Sequence, residues 1–228
     1  MTPFKIVIGN KNYSSWSFRG WLALEVLEVE FEEILLPLDT PEFFEKIKGL
    51  NPSGTVPAVW HGDTLVWDSL AIIDYLDKVF PDYGYWPTSP EAYAWARGMS
   101  AEMHSGLFGL RAHCPMNMRE HFKGLSLADH VQKNVDRIEY LWTQALEKFS
   151  GAGPYLFGNK LTGADIMFAP VVSRFRTYDI KLNERCEAYR KAIESSDAYS
   201  KWYKAGIQES WIVDQDEIDR AVKILGAE

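Results

Sequence analysis

The stretch Tyr13-Ser14-Ser15-Trp16-Ser17-Phe18-Arg19 sets three serine hydroxyls and a guanidinium between an apolar run and a long amphipathic one. The run from Phe4 to Gly9 reads as a short buried strand, and Phe18, Trp21, Leu22, Leu24 and Leu27 recur at roughly helical spacing just after it. The hydroxyls therefore sit at a strand-to-helix junction. Unpaired backbone N–H groups and the positive end of the helix dipole favour a bound anion there, and serine hydroxyls can donate to one. The plainer alternative is a serine N-cap with no further role.

Two more places carry potential chemistry. Val56-Pro57 follows a turn and precedes a short extended segment. A cis proline there would leave the preceding N–H and C=O free to pair with an extended ligand backbone. At Asp68-Ser69 a carboxylate and a hydroxyl meet at a predicted helix start, suited to the ammonium and carboxylate of a zwitterion, or simply to an N-cap with an acidic neighbour.

The elements around these residues follow from periodicity and punctuation. Glu32 to Leu36 reads as a second strand, stopped by Pro37, and Pro41 to Ile47 as a helix opened by Thr40. Asn51-Pro52-Ser53-Gly54 and His61-Gly62-Asp63 are turns flanking a hairpin of Val56 to Trp60 and Thr64 to Trp67. Ser69 is expected to cap a helix with Ile72, Leu76 and Val79 on one stripe. Residues 1–80 thus read β-α-β-α-β-β-α. The breaker-rich 81–88 is the expected linker, and everything from 89 to 228 reads as helical. Ser89 and Pro90 start a helix carrying Trp95, Met99, Met103, Leu107 and Leu110 on one face. Ser126 with Asp129, and Thr162 with Asp165, match the capping-box spacing, with aspartate in place of glutamate, and Pro170 is expected to bend the helix that Thr162 opens. Further helices begin near Asn183 and Ser196, and the tail from Trp211 to Leu225 is acidic and amphipathic.

The bulk composition narrows the class of function. With 228 residues, 46% of them hydrophobic, the chain can bury a sizeable core as one large domain or two small ones. A net charge of -8 argues against a nucleic-acid partner. Residues 1–80 hold 6 Lys/Arg and 12 Asp/Glu, so an anionic ligand would have to be held there by local donors against the overall field. Cys114 and Cys186 form no Cys-x-x-Cys pair, and no apolar stretch of about 18 residues occurs. These features, with no leader pattern, lead to the expectation of a cytoplasmic protein without a membrane partner. His113, Cys114 and His121 lack a recognised ligand spacing and are read as structural, with no metal site.

Taken together, the three features resemble the glutathione S-transferase family, over most of the chain. The similarity is strongest to its serine-type zeta class, whose Ser-Ser-Cys-Ser-Trp-Arg motif looks like Ser14-Ser15-Trp16-Ser17-Phe18-Arg19. Asn51-Pro52 to Val56-Pro57, then Asp68-Ser69-Leu70-Ala71-Ile72-Ile73, is similar to the family's glutathione-binding signature, and Thr162-Gly163-Ala164-Asp165 to its helical-domain cap. The resemblance implies a thioredoxin-like N-terminal domain followed by a helical-bundle C-terminal domain, paired as a homodimer. It implies glutathione as co-substrate, and conjugation or isomerisation of a small electrophile, as in detoxification. Ser14 would stabilise the glutathione thiolate, with Ser15 assisting or substituting and Tyr13 a rival. Val56 would pair with the cysteinyl backbone, Pro57 would be cis, and Asp68 and Ser69 would take the γ-glutamyl end. The electrophile would lie between the halves, near Tyr13, Trp16, His104, Phe108 and Arg111. His104 and Arg111 are seven apart and so expected on one helix face, with Arg174 and Arg176 as weaker candidates of the same kind. Trp16 stands where the zeta class has cysteine, and Asp68 where it has glutamine. A non-catalytic binding or stress-partner protein of the same fold is the alternative.

Overall fold

A computed structural model of the chain describes residues 3–219 and 221–227. Its first half contains β1 (Phe4–Ile8), α1 (Ser15–Glu25), β2 (Phe31–Leu35), α2 (Pro41–Leu50), β3 (Ala58–His61), β4 (Thr64–Trp67) and α3 (Ser69–Val79), the expected order. The sheet order is β2-β1-β3-β4, with β1 parallel to β2 and antiparallel to β3. Alternation along β1 sends Phe4, Ile6 and Ile8 to one face, where Phe18, Leu22, Ile72 and Leu76 of α1 and α3 cover them. Val7 points the other way, into a smaller cluster with Phe43 and Ile47 of α2. Thr40 caps α2 as its sequence implies, accepting from the Phe43 N–H at 3.1 Å.

The second half contains α4 (Pro90–Ser105), α5 (Phe108–His113), α6 (Asp129–Phe149), α7 (Gly163–Thr177), α8 (Glu184–Glu194) and α9 (Asp197–Gly206). Helix α7 is the axis of this half: all but one of its residues are buried, and Pro170 lies within it. Trp142 of α6, fully buried, packs edge-on against Phe168 of α7 and Tyr189 of α8. The two halves share one core, because α1 and α3 pack on α7.

Four expectations need correction. The helix starting at Pro90 does not run through Leu110. It stops at Gly106, and Leu107 adopts a left-handed conformation (φ 57) before α5 begins, so one apolar stripe serves two helices. Asp68, not Ser69, caps α3: its Oδ1 accepts from the N–H groups of Leu70 and Ala71 at 2.9 and 3.2 Å. Helix α6 begins at Asp129 without a side-chain cap, because Ser126 and Leu127 are drawn into β5. That strand pairs in parallel with β6 (Ile224–Leu225), so the second half is not wholly helical and the tail folds back upon it.

The capping box at α7 is present as the sequence indicates. The fully buried Asp165 carboxylate accepts from the Thr162 N–H and hydroxyl at 2.7 and 2.6 Å and from the Leu156 N–H at 3.1 Å. Three donors aimed at one buried carboxylate tie the loop before α7 to its first turn. Asp165→Ala, which orphans them, should destabilise the chain by about 3 kcal/mol in urea unfolding; a loss below about 1 kcal/mol would show that the box is not what fixes this helix start.

Candidate functional site

The site grows from the turn between β1 and α1. The Tyr13 and Ser14 N–H groups donate to the Asn10 carbonyl, and Ser14 becomes the N-cap of α1. Its Oγ accepts from the Ser17 N–H at 3.3 Å and donates to Ser17 Oγ at 2.7 Å, while Ser17 Oγ also accepts from the Gly9 N–H at 2.9 Å. The cap reading of these serines holds: the capping pair fixes the turn, and the same turn brings Ser14 and Ser15 to the lining of a cleft of about 580 Å³.

Tyr13, Trp16, Val56, Phe108 and Arg111 join the two serines along this cleft, drawing together both halves of the chain. The Val56-Pro57 bond is cis. Among the described residues neither the N–H nor the C=O of Val56 is hydrogen-bonded within the chain. Pro57 packs behind α1 instead of lining the cleft: a Cβ on Gly20 would come within 2.8 Å of its ring, so only glycine admits this approach.

Other expected residues lie elsewhere or are already engaged. Ser69 is buried, its hydroxyl turned to the Met167 sulfur at 4.0 Å, and neither it nor Asp68 lines the cleft. Asp68 Oδ2 is hydrogen-bonded to His104 Nε2 at 2.7 Å, so His104 faces this carboxylate and not the cleft. His104 and Arg111 do not share one helix face, since the break at Gly106 separates them. They meet because Arg111 Nη1 donates back to the His104 carbonyl at 3.2 Å and the Gly106 carbonyl at 3.3 Å. Tyr13 gives its hydroxyl hydrogen to Glu217 Oε1 at 2.5 Å and accepts from Arg119 Nη2. Burial, then the hydrogen bond to Glu217, raises its pKa, so the phenol stays protonated with its hydrogen directed to Glu217.

Trp16 lines the cleft among charged neighbours. The guanidinium carbons of Arg19 and Arg111 lie 4.6 and 4.7 Å from its ring centroid, and the His104 ring lies 5.2 Å away. Arg19 is fully buried, with Nε donating to the Met167 carbonyl at 2.9 Å; its two terminal nitrogens have no partner among the described residues. Burial, reinforced by Arg174 and Arg111, brings its pKa well down. Arg174, read from sequence as a weaker candidate, lines the cleft and donates from Nη2 to Ser15 Oγ at 3.3 Å. Burial pushes it down to about 10, still cationic at neutral pH. Arg176 does not reach the cleft and donates to the Tyr203 hydroxyl at 2.7 Å. Asp39, Thr55, Met116, Gln215 and Asp216 also line the cleft and were not anticipated; they come from four separate loops, with no shared periodicity to flag them.

The residues match known proteins in both halves. Residues 13–79 match the model for the glutathione S-transferase N-terminal domain, and residues 128–205 that for its C-terminal domain. A maleylacetoacetate isomerase of Rattus norvegicus is 30% identical over 181 residues, spanning 74% of this chain and 76% of its own. The chain belongs to the glutathione S-transferase family. A probable maleylacetoacetate isomerase of Caenorhabditis elegans is 29% identical over 174 residues, covering 75% of this chain and 78% of its own. Among solved structures, a bacterial zeta-class maleyl pyruvate isomerase superposes with a TM-score of 0.68 at 23% identity, covering 91% of this chain and all of its own. A glutathione transferase homolog from Burkholderia with bound glutathione also gives 0.68, at 18% identity, covering 90% of this chain and 98% of its own. At those identities the superpositions show the shared transferase fold. The thioredoxin-like first half and the helical second half are this family's architecture, and glutathione is its co-substrate.

Two outcomes test the geometry. Both cysteines are free and buried, and burial pushes the Cys114 thiol up to about 12 and raises that of Cys186. Iodoacetamide at neutral pH should leave both unmodified in the native chain and alkylate both in denaturant; a fast native reaction would place a reactive thiol where the structure has none. In Tyr13→Phe the bonds to Glu217 and Arg119 are lost, so amides of residues 213–217 should exchange about tenfold faster by mass spectrometry. Unchanged protection would show that the tail is held elsewhere.

Proposed function

We propose that the chain is a cytoplasmic glutathione transferase that works as a homodimer, with residues 1–80 binding glutathione, 81–88 linking, and 89–228 supplying much of the electrophile pocket. The observation that carries the reading is the meeting, on one cleft, of the Ser14 and Ser15 hydroxyls at the start of α1, the unpaired backbone of Val56 beside its cis proline, and the Arg174 guanidinium. Among the described residues no helix is long and apolar enough to cross a membrane.

In this reading the cysteinyl part of glutathione pairs with the free Val56 N–H and C=O, as an added strand would. Its sulfur lies at the α1 N-terminus, where the helix dipole and the serine hydroxyls favour thiolate over thiol. Ser14 turns its hydrogen from Ser17 Oγ to the sulfur, and Ser17 keeps the Gly9 N–H as donor. Ser15, whose oxygen accepts from Arg174, retains its own hydrogen as the second donor. The γ-glutamyl ammonium meets Asp68 by displacing His104 from Oδ2, since Oδ1 is committed to the α3 cap. Ser69 contributes its place at the first turn of α3 instead of its buried hydroxyl.

The electrophile approaches over Trp16 and Phe108, with Arg174 and Arg111 polarising a carbonyl or holding an acid group. Conjugation and isomerisation share the step in which the thiolate adds to the electrophilic carbon. The relatives named as maleylacetoacetate isomerases favour an unsaturated carbonyl compound as the electrophile class. The adduct's developing negative charge falls within reach of the two guanidiniums. Ser14→Ala should lower kcat for a model conjugation about 100-fold while shifting the glutathione KM less than about threefold. A mutant as fast as the parent, with Ser15→Ala impaired instead, moves the thiolate to Ser15. If the parent is not retained on immobilised glutathione, the whole reading fails.

A further inference from the structure

The family match in the second half ends at residue 205, yet the cleft is completed by residues beyond it. After α9 the chain crosses back over the β1–α1 turn and is fastened there. Glu209 accepts from the Lys11 and Asn12 N–H groups at 2.8 and 3.0 Å, and Arg119 donates to the carbonyls of Glu209 and Trp211 at 2.7 and 2.9 Å. Glu217 accepts from Tyr13 and, at 3.0 Å, from Asn117 Nδ2, while Gln215 donates to Asp39 across the cleft at 2.7 Å. Between these fastenings a single 3₁₀ turn, Asp214–Asp216, lays the Asp216 side chain into the cleft.

Asp216 is half-buried, and its carboxylate has no hydrogen-bond or ion-pair partner among the described residues. The charged groups around it are Arg174 on α7, which attracts it, and Asp39 in the β2–α2 loop and the adjoining Glu217, which repel it. Arg174 attracts it through space but gives it no hydrogen bond: Nε donates to the Cys114 carbonyl at 2.9 Å, Nη1 to the Pro170 carbonyl at 3.3 Å and Nη2 to Ser15. Burial first, then Asp39 and Glu217, brings the carboxyl to about 6, so the group is mostly ionised at neutral pH and lacks a donor. A half-buried acceptor in a ligand cleft gains most when the ligand brings a donor, and it opposes a ligand bringing a second negative charge.

We propose that Asp216 is a specificity-determining residue of this cleft: it selects an electrophile with a hydrogen-bond donor, a hydroxyl or an ammonium, at its tail-facing end, and rejects one that ends in a carboxylate there. The cleft then presents both signs of charge, Arg174 and Arg111 together with Asp216 and Asp39 in its lining. It fits a molecule with one acid or carbonyl group and one donor group, and disfavours a dicarboxylate. This inference rests on the glutathione reading above, and the experiment separates the two.

Calorimetry at neutral pH would measure binding of glutathione, S-(hydroxybutyl)glutathione and S-(carboxypropyl)glutathione to the parent, Asp216→Asn and Asp214→Asn. The last two variants each remove one negative charge from the same turn, so the long-range field cancels between them. The parent should prefer the hydroxyl-ended conjugate. Asp216→Asn should shift the ratio of the two dissociation constants about tenfold toward the carboxylate-ended one, and Asp214→Asn should leave it within about twofold. A ratio unchanged in Asp216→Asn, or moved equally by Asp214→Asn, overturns the assignment. A parent that binds glutathione but neither conjugate overturns this inference and leaves the glutathione site standing; a parent that binds none of the three overturns both.

Discussion

Ser17 holds the end of β1 to the beginning of α1, and every group in the cleft depends on that join. Its Oγ accepts from the Gly9 N–H and from the Ser14 hydroxyl, and its own N–H donates to Ser14. The three bonds close the turn on itself. Ser15 and Trp16, the two residues between Ser14 and Ser17, line the cleft. From outside, the second half grips the same turn: Met118 N–H donates to the Asn12 carbonyl, and Glu209 takes the Lys11 and Asn12 N–H groups. The turn is thus a shared possession of both halves.

The electrostatics of the cleft run against the charge of the chain around it. The first 80 residues are net acidic, so an anion would be repelled by the mean field. Packing of the two halves reverses this locally by gathering Arg19 of α1, Arg111 of α5 and Arg174 of α7 around Trp16 and Ser15. Desolvation and mutual repulsion lower the pKa of Arg19, and such a cost is tolerated where the surrounding fold over-determines the position. Here Met167's carbonyl and the Trp16 face supply that support. A thiolate beside this cluster would experience a positive potential in a partly dehydrated site, where each charge acts more strongly than at the surface.

Much of the frame was readable from the chain alone. The β-α-β-α-β-β-α order, the caps at Thr40, Ser89 and Asn183 and the box at Thr162 and Asp165 are local: each depends on residues within three or four positions of one another. The misreadings have other causes. Leu107 fits a helical stripe, but Gly106 lets the chain change direction while keeping that stripe buried. Ser126 fits a cap, but the tail offers it a strand partner about 100 residues away in sequence. In the second case a distant contact outweighed a local signal worth about 1 kcal/mol.

The amino-acid sequence by itself determined which residues carry hydroxyls, a cis-capable proline and an acid at helix starts, and where the strands and helices around them fall; the family came from the resemblance of those motifs to known ones. The sequence determined those positions because short-range hydrogen bonding and hydrophobic period are written in neighbouring residues. Only the tertiary structure decided which of those groups face one another. It turned Ser69 into the core, gave Asp68 to the α3 cap and His104, tied the Tyr13 hydroxyl to Glu217, and brought Arg174 and Asp216 to the cleft. Those outcomes depend on how α1 and α7 pack and where the tail crosses, and such long-range packing leaves no periodic trace in the sequence.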